Sequence, residues 1–189
     1  MTLEAITEKL RSQLKESRFV HSLNVAQTAK TLALRFGANA DKAYLAGLVH
    51  DCAKCYSEEE LICKMKQYGL DDECDFTTAT QLLHSFVGAY ELKEKFGIDD
   101  EEVFDAVYYH TIGKEAMPML TAIVYLADAI EPARDYPGVD EIRSAARISL
   151  EKAIYMYTEG SIAFVNARGW FLHPNSLKVR DYYRQSGRL

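Results

Sequence analysis

Apolar residues return at helical spacing along nearly all of the chain. Leu3, Ile6, Leu10 and Leu14 form a first stripe, and Phe19, Val20, Leu23, Ala26 and Leu32 form a second that ends before Gly37. Intervals of three and four residues keep one face of a helix apolar, and a glycine after the last turn closes it. Further helix starts are predicted at Asn39 before DKAYLAGLVHD, at the capping box Ser57 to Glu60, and at the similar pair Asp99 to Glu102, with Gly69, Gly97 and Gly113 as stops. The segment MPMLTAIVYLADAIEP, with a proline near each end, reads as a buried helix of about three turns. ARDYPG then reads as a loop, and the remainder as two or more helices. GWFLHPNS is an ordered connection before a short last helix, because Pro174 disfavours continuing the preceding pattern. No alternating strand pattern, internal repeat or low-complexity stretch is present, so the expected fold class is all-α.

With 189 residues and 48% hydrophobic content, the chain can bury one substantial core and is short for two, which predicts a single domain over 1–189. Lys and Arg number 22 against 28 Asp and Glu, a net charge of −6, which argues against a nucleic-acid polymer as partner. A small phosphorylated ligand stays open, since metal ions and a few local cations can offset its charge. The first residues alternate charge with Leu and Ile, unlike a secretion signal, and no apolar run reaches the length of a membrane span. The expected location is the cytoplasm, with no membrane partner. Cys52, Cys55, Cys63 and Cys74 are accordingly read as reduced thiols. The Cys52–Cys55 spacing lacks the second matched pair that a zinc site wants, so the pair reads as small buried hydrophobes.

Candidate chemistry lies in the histidines. Four of the five, His21, His50, His84 and His110, fall inside amphipathic helical segments. Asp51 follows His50 directly, and Asp128 lies in the otherwise apolar YLADAIEP, where an unpaired carboxylate is costly to bury. Singly these are weak signals, since a helical histidine is usually a hydrogen-bonded core residue and a His-Asp dipeptide alone says little. Jointly, six such side chains have one economical explanation, convergence on metal.

Imidazoles with carboxylates favour iron, manganese or zinc over magnesium. Six protein ligands exceed what one hydrolytic ion can use while leaving a position for water, whereas two ions sharing a bridging carboxylate use all six, with Asp51 the natural bridge. Two ions about 3.5 to 4 Å apart can hold a hydroxide between them and polarise a phosphoryl oxygen.

The order of these residues resembles the HD-domain superfamily: a first His, a His-Asp pair 29 residues later, two more His and a distal Asp. More narrowly, RFVHSLNVA, LVHDCAK, LLHSFVGAY, YYHTIG, YLADAIEPARDYPGV and FLHPNSL resemble a small bacterial family, the YqeK-type hydrolases, over nearly the whole chain. The resemblance implies a helical bundle with a metal site in its core. It also implies symmetrical hydrolysis of diadenosine tetraphosphate to two ADP at a di-iron centre, manganese and zinc remaining open. Carried over by motif, His21, His50, Asp51 and Asp128 would form one metal position, with Asp51 bridging to a second ion held by His84 and His110.

Lys54, four residues beyond His50, can point to the same rim and meet a substrate phosphate, a catalytic role shared with Asp51. Arg18 and Arg134 are further anion-binding candidates, because guanidinium donors match phosphate oxygens in pairs; either can equally be a salt-bridge partner. Thr80, Gln81 and His173 are placed near the nucleotide by the resemblance, although His173 also fits a helix-entry role beside Pro174 and Asn175. Tyr108, Tyr109 and Tyr136 offer rings that can stack on a base. Alternatives to this activity are another nucleotide phosphohydrolase or phosphodiesterase on the same constellation, a non-catalytic nucleotide-sensing module, or oxygen chemistry at a di-iron site. The oligomeric state is open, a homodimer included.

Overall fold

Thr2 begins the first helix by accepting the amide hydrogen of Ala5, and helix follows helix from there. In the computed structural model, which describes residues 1–70, 73 and 79–186, these are α1 (Leu3–Gln13), α2 (Glu16–Phe36), α3 (Ala40–Val49), α4 (Glu58–Gln67), α5 (Leu83–Phe96), α6 (Glu101–Tyr109), α7 (Met119–Ile130), α8 (Val139–Ala146), α9 (Leu150–Ala167) and α10 (Pro174–Ser186). Single 3-10 turns lie at Cys52–Cys55 and Thr80–Leu82, and no strand occurs among the described residues. The chain is therefore all-α.

The boundaries follow the local chemistry. Asn39 caps α3 by accepting from the amides of Asp41 and Lys42, and Ser57 with Glu60 forms the full reciprocal capping box of α4. Gly37 ends α2 at φ 74°, a conformation that costs a residue bearing a Cβ. The expected Asp99 start of α6 is corrected by one residue. Asp100 is the cap, with extended backbone (φ −141°, ψ 115°) and its carboxylate on the amides of Glu102 and Val103, while Asp99 pairs with Lys93. Pro174 opens α10 as its first residue, where its missing N–H has no helical partner to lose.

α7 organises the interior. It is buried along almost its whole length, from Leu120 to Ile130, and packs against α2, α3, α6, α8 and α9. A continuous apolar cluster runs from Ile6 in α1 to Tyr183 in α10. α2 and α3 pack most extensively, and Gly47 makes their approach possible, since a Cβ there would lie 2.9 Å from the Ala26 Cα. α2, α3 and α6, which bring in His21, His50 and His110, thus pack on α7, and α5 with His84 packs on α6.

Cys52 is fully enclosed, as expected of a small hydrophobe, but Cys55 and Cys63 are exposed, which corrects that reading for Cys55. Cys55 closes the 3-10 turn, which leaves its side chain at the surface. Cys74 lies outside the described residues.

Candidate metal centre

Five elements each deliver part of one cluster. His21 comes from the second turn of α2, His84 from the first turn of α5 and Asp128 from the last turn of α7. His50 and His110 stand just past the last residues of α3 and α6. The sequence pattern had placed these two inside helices, and their position at helix ends matters. Carbonyls in a final turn have no amide partner, so Gly47 O takes the Nδ1 hydrogen of His50 at 2.7 Å and Val107 O takes that of His110 at 2.6 Å. A carbonyl can only accept, so each ring carries its hydrogen on Nδ1 and turns a bare Nε2 inward.

Asp51 occupies the centre, 2% exposed, and its two oxygens face different histidine pairs. Oδ2 is 3.4 Å from His50 Nε2 and 3.8 Å from His21 Nε2. Oδ1 is 3.1 Å from His84 Nε2 and 3.6 Å from His110 Nε2. Asp128 Oδ1 closes the first side, 3.0 Å from His21 Nε2 and 3.8 Å from His50 Nε2.

These atoms are nearly all acceptors pointing at one another. His21 Nε2 and His50 Nε2 are buried without a hydrogen-bond partner, and His84 Nε2 lies 3.1 Å from His110 Nε2. Lone pairs facing each other in a buried pocket are costly unless a proton or a metal ion lies between them. The spacing suits a metal, since ligands on one ion with bonds of about 2.1 Å sit about 3 Å apart. Three groups can each gather around an ion: His21 with His50 and Asp51, His50 with His110 and Asp128, and Asp51 with His84 and His110. The donor set therefore fits divalent metal.

The electrostatics point the same way. Burial works against the Asp51 and Asp128 carboxylates, yet the surrounding imidazoles, with Arg134 beside Asp128, outweigh it and hold both well below the usual carboxylate range. Burial followed by the nearby Lys54 ammonium pushes His84 down to about 3, which keeps it neutral as a ligand must be. For His50 burial is overcome by Asp51 and Asp128, and its pKa rises.

Around this cluster stand the cationic candidates. Arg18 donates to Asp51 Oδ2 at 2.8 Å, and Arg134 donates to the Asp128 carboxylate through Nη2 and to its backbone carbonyl through Nε at 2.8 Å. Lys54, on the Cys52–Cys55 turn rather than on a continuation of α3, is at the solvent-facing rim. Burial of its ammonium and the charge of Arg18 lower its pKa, against the pull of Asp51.

The remaining candidates are engaged elsewhere. Thr80 donates to Glu58 at 3.2 Å, and Gln81 is exposed on the turn before α5. His173 accepts the Asn175 amide hydrogen on Nδ1 and has Nε2 3.3 Å from the Glu73 carbonyl, which is the helix-entry arrangement. Tyr108 packs in the core against Phe86 and Phe104, and Tyr136 donates to Ala129 O at 2.9 Å. One residue was missed by the sequence reading. Glu131, 2% exposed at the end of α7, has Oε1 3.1 Å from His21 Nδ1, while Oε2 accepts from Asn24 Nδ2 at 3.0 Å and the Ala133 amide at 2.7 Å. The signal was its place three residues after Asp128, which puts both carboxylates on one side of the helix end.

The profile of the HD domain family matches residues 18–133. A Bacillus subtilis protein named bis(5'-nucleosyl)-tetraphosphatase, symmetrical, is 35% identical over 96% of this chain and 97% of its own length. One of the same name from Staphylococcus aureus is 33% identical over 98% of this chain and 96% of that protein. Among solved structures, a Clostridium acetobutylicum protein described as a predicted HD superfamily hydrolase involved in NAD metabolism superposes with a TM-score of 0.92, at 41% identity and 98% coverage of both chains.

Proposed function

Because the chain belongs to the HD domain family, we propose that it hydrolyses diadenosine tetraphosphate symmetrically to two ADP, using two metal ions held by His21, His50, Asp51, His84, His110 and Asp128. The observation that carries this is the division of Asp51, whose two oxygens face two separate histidine pairs. A single ion would use one face and leave the other carboxylate oxygen among bare imidazole nitrogens. The near full-length relatives that bear the symmetrical tetraphosphatase name support the substrate.

His21, His50 and Asp128 share the first position with Asp51, and His84 and His110 share the second. When bound, the ions supply Lewis-acid stabilisation of phosphoryl charge and an activated water. Lys54, Arg18 and Arg134 bring cations to the rim, and their donors suit phosphate oxygens on either side of the scissile bond. Arg18 and Arg134 hold Asp51 and Asp128, which keeps both guanidinium groups beside the proposed metal ligands. Thr80, Gln81 and His173 are proposed as nucleoside contacts, Thr80 and His173 by giving up their present partners Glu58 and the Glu73 carbonyl.

Iron is the metal proposed, in a single HD-type domain spanning 1–189 that acts in the cytoplasm. The free thiols of Cys52, Cys55 and Cys63 support a reducing compartment, and no helix among the described residues is long and apolar enough to cross a membrane. The test is elemental analysis of protein purified without chelator, followed by product identification across a panel of dinucleoside polyphosphates. Two ions per chain and two ADP per diadenosine tetraphosphate are expected. AMP with ATP as products would overturn the symmetrical reaction, and one ion per chain would overturn the bridging role.

A further inference from the structure

Three histidines of the cluster, His21, His50 and His110, have an Nδ1 partner, and they solve one problem in two ways. To present Nε2, each must keep its hydrogen on Nδ1, and for His50 and His110 the orphan carbonyls of a helix end take that hydrogen. His21 sits inside α2, where backbone carbonyls are committed to the helix ladder. It has no such acceptor, and its ring lies between two carboxylates, with Nδ1 3.1 Å from Glu131 Oε1 and Nε2 3.0 Å from Asp128 Oδ1. In a neutral ring the single hydrogen goes to one or the other. If it goes to Asp128, the lone pair needed for metal is covered.

We propose that Glu131 is the positioning residue that fixes the tautomer of His21, holding its hydrogen on Nδ1 so that Nε2 is free for the ion it shares with His50, Asp51 and Asp128. The proposal rests on the two-ion reading above. Glu131 is itself fixed by two donors on its other oxygen, Asn24 Nδ2 from α2 and the Ala133 amide just beyond Pro132. Asn24 is one turn on from His21, so the clamp ties α2 to the end of α7 at the ligand itself. Carboxylate partners of metal-bound imidazoles orient the ring and raise its basicity, and their loss typically weakens metal affinity about 10- to 100-fold.

Glu131→Gln discriminates sharply because it preserves shape and changes only what each end offers. The two donors at Oε2 hold the single amide oxygen of the glutamine on their side, which turns its NH₂ toward His21 Nδ1. Nδ1 must then accept, and the ring hydrogen moves to Nε2, facing Asp128. The experiment uses full-length protein labelled with ¹⁵N-histidine, reconstituted with zinc, with ring-nitrogen NMR and zinc stoichiometry read together. Wild type is expected to hold two zinc ions with the His21 hydrogen on Nδ1. Glu131→Gln is expected to keep its helical circular dichroism, bind the ion at the His84–His110 side, and lose or bind the other about 10- to 100-fold more weakly. In the metal-free variant the His21 hydrogen should sit on Nε2. A Glu131→Gln protein that holds both ions at wild-type affinity would overturn the proposal. So would a zinc-loaded wild type with His21 protonated on Nε2, a measurement that decides the matter even if the variant does not fold. Wild type that binds no ion at all would overturn the two-ion reading together with this inference, and is told apart by that result.

Discussion

Arg18 donates through Nη1 to Asp51 Oδ2 at 2.8 Å, so the carboxylate that faces four imidazoles is also held by a guanidinium one turn before His21. Arg18 is partly solvent-exposed where Asp51 is enclosed, which lets the guanidinium turn outward without moving the carboxylate. If that guanidinium passes to a substrate phosphate, Arg18→Ala removes a charge-assisted bond worth about 1.5–3 kcal/mol and lowers kcat/KM about 10- to 100-fold. Arg18→Lys should recover only part, since an ammonium lacks the paired donors. Steady-state kinetics with elemental analysis checks this. A fall in metal content in Arg18→Ala would reassign the residue to holding Asp51.

Asp51→Asn leaves one oxygen where two faced two histidine pairs. The variant is expected to lose at least one ion and to fall by about 10⁴-fold or more in kcat, as do variants of residues that act as a unit. Helical circular dichroism should persist, because the surrounding packing is contributed by α2, α3, α5, α6 and α7. Measurable turnover near the wild-type level would end the bridging assignment.

His84 predicts a pH dependence of the metal-free protein. Its pKa is about 3 in the fold, first through burial, against an ordinary value of 6.5 in the unfolded chain. Between those values the unfolded chain binds a proton that the folded protein does not, so this group makes stability fall as pH drops from 6.5 toward 3, by at most about 1.4 kcal/mol per pH unit. His50 acts in the opposite sense. Its raised pKa contributes stability that is full below 6.5 and is lost as pH rises through the folded value. Denaturant midpoints of chelator-treated wild type and His84→Asn at pH 7 and pH 5 separate the two. The acid-side loss should be smaller in the variant, and an equal loss in both would show that His84 is not the group responsible.

Much of this architecture was legible because helix periodicity and capping are local. Asn39, Ser57 with Glu60 and Gly37 mark boundaries that depend on two to four neighbouring residues, and those boundaries are where the pattern put them. Asp99 and Asp100 show the limit, since two adjacent carboxylates offer the same chemistry and only backbone geometry decides which one caps. The site was legible as a set of residue types but not as a geometry. That His50 and His110 stand beyond their helices, and so gain an orphan carbonyl each, depends on where α3 and α6 stop within a single residue. Glu131 was missed for a different reason. A glutamate before a proline at a helix end reads as a solvated terminus, and only the packing of α2 on α7 brings His21 and Asn24 to it. Glu91 is similar: it is 1% exposed in α5, and beside its helical neighbour Lys95 at 3.0 Å its carboxylate is held by two partners distant in sequence, Lys64 of α4 at 2.7 Å and the Tyr56 hydroxyl at 3.0 Å.

Gly47 joins packing to chemistry at one position. A Cβ there would meet the Ala26 Cα at 2.9 Å and the Val25 carbonyl at 3.1 Å, both backbone atoms of α2 that no rotamer change can clear. Gly47→Ala must therefore push α3 away from α2, at about 1–3 kcal/mol for overpacking in an interior at near-crystalline density, offset only slightly by the better helix propensity of alanine. For a chain of this size that corresponds to a melting temperature lower by roughly 2 to 10 °C. The Gly47 carbonyl also takes the His50 Nδ1 hydrogen at 2.7 Å, so the same displacement moves a metal-facing ring. Gly47→Ala should thus lose stability and weaken metal retention together, whereas a cavity variant remote from the cluster, such as Ile154→Val in α9, should lose about 0.5–1.5 kcal/mol with its ions in place. Calorimetry and metal analysis on the two variants provide the check, and undiminished metal binding in a destabilised Gly47→Ala would break the link between the helix contact and the site.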